Sequence, residues 1–126
     1  MDEKPIILVV DDDGPILALM RNLLREFGFQ PVTAESGSQA IEVARQHRPA
    51  LVLLDKNMPG MTGDQVIRKL RGEPGFDKLP ILILSGERLS REDLALLGAD
   101  GAVQKPFDVL LLVEQIRQYV GGDGHL

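Results

Sequence analysis

Five side chains set the chemistry this chain can perform: the adjacent Asp11 and Asp12, a single Asp55, Ser85 and Lys105. Each position closes an aliphatic run, with ILVV before Asp11, LVLL before Asp55, ILIL before Ser85 and AVQ before Lys105. Three carboxylates held close together repel one another, so such a group calls for a cation, and oxygen-only donors select a hard ion such as Mg2+. A carboxylate such as Asp55 can also attack phosphorus and form an aspartyl phosphate. Lys105 then supplies positive charge and Ser85 a hydroxyl donor for the transferred oxygens.

These residues converge only if the elements before them bring their ends together. Apolar runs alternate five times with segments of helical period, the pattern of an α/β fold with helices on both faces of a parallel sheet, (βα)5. Residues 5–10 read as a strand buried on both faces. A helix opens at Asp13 or Gly14, carries Ile16, Leu19, Met20, Leu23, Leu24 and Phe27 toward the core, and stops before Gly28. Residues 30–34 form a second strand, and Ser36 caps a helix with Ala40, Ile41, Val43 and Ala44 inside. Strands are predicted at 50–54, 80–84 and 102–104, and helices at 64–70, 91–97 and 107–120. The helix at 91–97 has the weakest pattern. Ligands of open parallel sheets bind outside the carboxyl ends of the strands, and all five chemical residues fall there.

Composition narrows the function further. The 126 residues, 44% apolar and 26% charged, match one domain with one core system, and only 4% are aromatic, so that core is aliphatic. A net charge of −5 speaks against a nucleic-acid surface. Without Cys there are no disulfides or thiolate metal sites. The apolar run at 6–10 is too short for a membrane helix or signal peptide, and a cytoplasmic location is the expectation. Residues 1–120 are read as one domain and 121–126, with Gly121 and Gly122, as a tail or the start of a linker.

The ordered set ILVVDDD, LLDKNMPGMTG, ILILSG, GADG and KPF resembles the receiver domains of two-component response regulators, over about residues 6–120. The resemblance implies a three-layer, flavodoxin-like αβα sandwich with strand order 2-1-3-4-5. It implies Asp55 as phosphoacceptor, Asp12 as a direct Mg2+ ligand, Asp11 acting through a metal-bound water, and the Asn57 backbone carbonyl completing the protein ligands. Ser85 takes the Thr/Ser switch position, and Lys105 precedes a Pro106 whose peptide bond is cis in the family. The implied phosphodonor is a sensor histidine kinase, a histidine phosphotransfer protein or acetyl phosphate. The implied output is a downstream protein or a covalently linked output domain. Asn57 and Glu87 occupy positions the family varies to set phosphoryl lifetime. Such a chain modifies itself and is not an enzyme with an external substrate.

Two departures bear on output rather than on chemistry. Ala102 stands where the family has Tyr or Phe, and the stretch from Ser85 to Gly98 is about two residues short. Lys56 replaces the usual apolar neighbour of the phosphoacceptor, as a partner contact, a donor contact or a solvated side chain. Taken singly, Asp11, Asp12 and Asp13 also suit a helix start, Asp55 and Ser85 suit turns, and Lys105 suits a surface. Asp13 keeps the capping role, and His47 and His125 are read as solvated. A phosphorylation-independent interaction module is the alternative that Ala102 leaves open, with the acidic pair, Asp55 and Lys105 arguing against it. Haloacid-dehalogenase-like phosphatases are opposed by Asn57, where they need a second Asp, and by the lack of a cap insertion.

Overall fold

The three central strands in the computed structural model, which describes residues 4–120, are aliphatic runs that only a doubly covered sheet can accommodate, whereas the two edge strands, QPVTA at 30–34 and GAVQ at 101–104, are mixed and partly exposed. The elements follow in strict alternation. They are β1 Ile6–Val10, α1 Gly14–Glu26, β2 Gln30–Ala34, α2 Gly37–His47, β3 Leu51–Asp55, α3 Gly63–Arg71, β4 Ile81–Ser85, α4 Arg91–Leu97, β5 Gly101–Gln104 and α5 Val109–Val120. All pairings are parallel and the order is β2-β1-β3-β4-β5, as the resemblance implies.

Successive strand residues alternate between two cores. Ile7, Val9, Leu51, Leu53, Leu82 and Leu84 pack against Leu17, Met20 and Leu24 of α1 and Leu112, Val113 and Ile116 of α5. Leu8, Val10, Val52, Leu54, Ile81 and Ile83 pack against Ala40, Ile41 and Ala44 of α2 and Val66, Ile67 and Leu70 of α3. Helix α4 contributes no buried residue, in line with its weak pattern. Among the described residues no helix is long and apolar enough to cross a membrane.

Local signals set the helix ends. Asp13 caps α1 by accepting from Ile16 N, and Gly28 follows with φ +92°, a conformation costly for any residue with a Cβ. Ser36 accepts from Gln39 N at 3.1 Å at the start of α2. Ser90 and Asp93 exchange backbone-to-side-chain bonds of 3.0 and 2.8 Å at the start of α4. Three expectations shift. Leu19 is 54% exposed, and Leu17 takes its place in the core. Strands β3 and β4 lie one residue later than predicted at both ends and so include Asp55 and Ser85, while α5 starts at Val109 behind a half-buried Phe107. The tail at 121–126, with His125, lies outside the described residues.

Candidate functional site at the carboxyl edge of the sheet

The strand order places β1, β3 and β4 side by side at the centre, with β5 outside β4, so the carboxyl ends of all four face one shallow site. Their backbones stay in the ladder. Asp11 N donates to Ala34 O at 3.1 Å, Lys56 N to Leu84 O at 3.0 Å and Lys105 N to Ser85 O at 2.7 Å. Rigid main chain therefore presents the working side chains.

Asp11, Asp12 and Asp55 each bring a carboxylate oxygen within 4.8 Å of the others. Asp11 and Asp55 are buried, whereas Asp12 is exposed. Lys105 Nζ donates to Asp55 Oδ1 at 3.2 Å and lies 3.5 Å from Asp11 Oδ2. Asp11 Oδ1 accepts from Asp13 N at 3.0 Å, but its buried Oδ2 has no hydrogen bond. A buried carboxylate oxygen with no donor is costly, and one ammonium cannot neutralise three carboxylates. Oxygen donors, surplus negative charge and an orphaned oxygen together fit a hard divalent cation.

Electrostatics agree with that fit. Burial pushes the Asp11 carboxyl above its ordinary range; the Asp13 N–H opposes this, the Asp55 charge adds to it, and Lys105 offsets part. For Lys105, burial works to lower the ammonium pKa, but its hydrogen bond to Asp55 and its charge pairing with Asp11 and Asp55 outweigh burial and raise it. The ammonium is therefore a fixed positive charge.

Ser85 is buried, and its Oγ accepts from Glu87 N at 2.9 Å, so the hydroxyl is held by the loop after β4. Asn57 is exposed in the loop after β3. The Lys105–Pro106 peptide bond is cis, as the resemblance implies. Asp13 is the α1 cap and also the donor that orients Asp11, a double role its helix-start position alone could not reveal. Lys56 is paired with Glu87 at 2.8 Å, a contact between residues 31 apart for which the sequence carries no local signal.

Fold and site together define a class: a parallel α/β domain with a carboxylate cluster and a paired lysine at the carboxyl edge of its sheet. The family model for the response regulator receiver domain matches residues 7–117, and the chain belongs to that family. It is 41% identical over 120 residues to the probable transcriptional regulatory protein TcrX of Mycobacterium tuberculosis, covering 92% of this chain and 50% of that protein. It is also 41% identical over 114 residues to the DNA-binding response regulator MtrA of Mycolicibacterium smegmatis, covering 88% and 48%. The chain thus spans about half the length of the curated relatives it matches. Among solved structures, the chemotaxis protein CheY4 of Vibrio cholerae superposes with TM-score 0.87 at 28% identity, over 93% of this chain and 99% of that one. The receiver domain of the sensor histidine kinase PA1611 from Pseudomonas aeruginosa shares the fold, with TM-score 0.85 at 24% identity over 95% and 100%. That structure has a magnesium ion in its active site cleft.

Proposed function

We propose that the chain is a phosphorylatable switch whose acceptor is Asp55 and whose modification changes which protein it binds. The observation that carries this reading is the placement of Asp55 Oδ1 at 3.2 Å from Lys105 Nζ, within a carboxylate cluster that leaves Asp11 Oδ2 unsatisfied. Asp55 attacks the phosphorus of a phosphohistidine or acyl phosphate through a carboxylate oxygen. The new P–O bond forms as the donor's P–N or P–O bond breaks, and that electron pair leaves with the donor nitrogen or oxygen, which is protonated by solvent. Lys105 pairs with the added negative charge, and the Ser85 hydroxyl donates to a phosphoryl oxygen. Asp11, Asp12, Asp55 and the Asn57 carbonyl would hold Mg2+, which when bound neutralises charge on the group in transfer.

The donor is a sensor histidine kinase or a histidine phosphotransfer protein, and the setting is the cytoplasm. Output passes to a downstream protein or a linked output domain; relatives of twice this length, one named a probable transcriptional regulatory protein and one a DNA-binding response regulator, support the second route. Nucleic-acid contact would belong to that added part, given the net charge of −5 here. Turnover of an external substrate is not part of the reading, and neither is a membrane contact.

The test is intact-protein mass after incubation with acetyl phosphate, with and without Mg2+, for the native chain and Asp55→Asn. One phosphoryl adduct that requires Mg2+ and disappears in the variant supports the reading. The absence of any adduct assigns the chain to phosphorylation-independent binding instead, and an adduct that persists in Asp55→Asn overturns Asp55 as the acceptor.

A further inference from the structure

Lys56 leaves the sheet beside Asp55, and its ammonium reaches across the mouth of the site to donate to Glu87 Oε1 at 2.8 Å. Glu87 in turn donates its backbone N–H to Ser85 Oγ at 2.9 Å. The three residues are linked in series: the Lys56 ammonium grips the Glu87 side chain, and the Glu87 backbone grips the Ser85 hydroxyl.

The segment carrying Glu87 is otherwise lightly held. Among the described residues, the Lys56–Glu87 bond is the only hydrogen bond tying residues 86–97 to any element other than β4, from which they emerge. No residue of α4 is buried, and Leu96 is 84% exposed. Leu89 and Leu97 pack partly buried on the core beneath. An open cleft of about 480 Å³ lies between Lys56 and this segment, which therefore lacks the close packing that fixes a core element.

We infer that the Lys56–Glu87 ion pair is a latch that holds residues 86–97, and through them the Ser85 hydroxyl, in the arrangement of the unmodified chain. Ser85 and Asp55 share no hydrogen bond in this arrangement; the Ser85 oxygen accepts from Glu87 N–H while its O–H stays free to donate, so a hydroxyl that shifts to serve a phosphoryl group on Asp55 draws the Glu87 backbone with it. The latch opposes that move and sets the balance between two states of one loop. Lys56 is thus a positioning residue that acts through Glu87. The Glu87 side chain is 71% exposed, and a pair so hydrated shifts an equilibrium by only about two- to fivefold.

The inference rests on the reading of Asp55 as acceptor, and its test separates the two. The native chain, Lys56→Met, Glu87→Gln, the double variant and the charge swap K56E/E87K are titrated with beryllofluoride in Mg2+, as a phosphoryl mimic. Amide hydrogen exchange of residues 86–97 is measured on the same proteins without mimic or Mg2+. The latch predicts that each single variant binds beryllofluoride about two- to fivefold more tightly and exchanges faster in this segment by a similar factor. The double variant matches the singles, and the swap returns toward the native values. Lys56 acting only as a positive charge beside an anion site gives the opposite sign, weaker binding in Lys56→Met. Weaker or unchanged binding, additive single effects, or unchanged exchange overturns the latch. A native chain that fails to bind beryllofluoride overturns the Asp55 reading, and the exchange comparison then decides the latch alone.

Discussion

Asp11→Asn in the absence of metal should make the protein more stable, although it alters a buried, bonded residue of the site. The side chain keeps an oxygen to accept from Asp13 N, so the cap-side hydrogen bond at 3.0 Å survives. At an effective dielectric constant of ~20, like charges 4.8 Å apart repel by about 3 kcal/mol, and Asp11 faces two such neighbours. The attraction lost to Lys105 at 3.5 Å is about 5 kcal/mol on the same scale. Solvent weakens the repulsion from exposed Asp12, but relief of the buried charge adds to the gain, leaving about 1–3 kcal/mol in favour of Asn. That corresponds to a rise in Tm of about 4–10 °C for a domain of this size. The sign with pH follows from the raised pKa of Asp11. The folded native chain holds that proton more tightly than the unfolded chain, so native stability falls as pH rises from the ordinary value near 3.8 through the raised one. The advantage of the variant is therefore full at neutral pH and fades as pH drops through that window. Thermal unfolding in chelator, repeated across pH and with added Mg2+, reads all of this. A variant less stable than the native chain in chelator, or one that gains as much from Mg2+, would refute the argument.

Leu53→Ala, at a fully buried position in the centre of β3, should cost about 2–5 kcal/mol in urea unfolding, while Leu19→Ala on the exposed side of α1 should stay within about 0.5 kcal/mol. Equal losses at the two positions would contradict the packing described for α1. Gly37→Ala sets a gain in helix propensity of about 1 kcal/mol against overpacking, because a Cβ there would lie 2.8 Å from Val66 Cγ2 and from Met61 Sδ. The Met61 thioether can swing aside, but the Met61 Cβ at 2.9 Å and the branched Val66 cannot, so a net loss of about 1–2 kcal/mol is expected, and a higher Tm would count against it.

The fold was legible because its three central strands, β1, β3 and β4, are buried and so spell themselves as aliphatic runs, while the edge strands β2 and β5 carry less of that signal. The site was legible for the same reason, since each polar residue stands out at the end of such a run. The helix faces were less so. In α1, apolar residues at 16, 17, 19, 20, 23 and 24 support two overlapping stripes, and only the packing against the sheet selects Leu17, Met20 and Leu24 over one that includes Leu19. Phe76 and Leu79 are buried within the loop between α3 and β4, where no period marks them. Arg48, at φ 49° after α2, places its guanidinium 4.3 Å from the Phe76 ring centre, a long-range contact that local patterns do not encode. The Lys56–Glu87 pair escaped notice for the same reason, as two charged residues in separate loops look merely solvated until the sheet sets those loops side by side.

The parallel sheet also dictates when the chemistry comes into existence. Lys105 meets an Asp55 that lies 50 residues earlier, and the intervening β4 must be in place before β5 can carry the lysine to it. No fragment ending before β5 contains the ammonium that Asp55 needs, so a chain still emerging from the ribosome or cut short in α4 has the acidic cluster without its counter-charge. On the proposed reading, a phosphoryl group can be loaded only onto molecules in which this domain has been made and folded through β5.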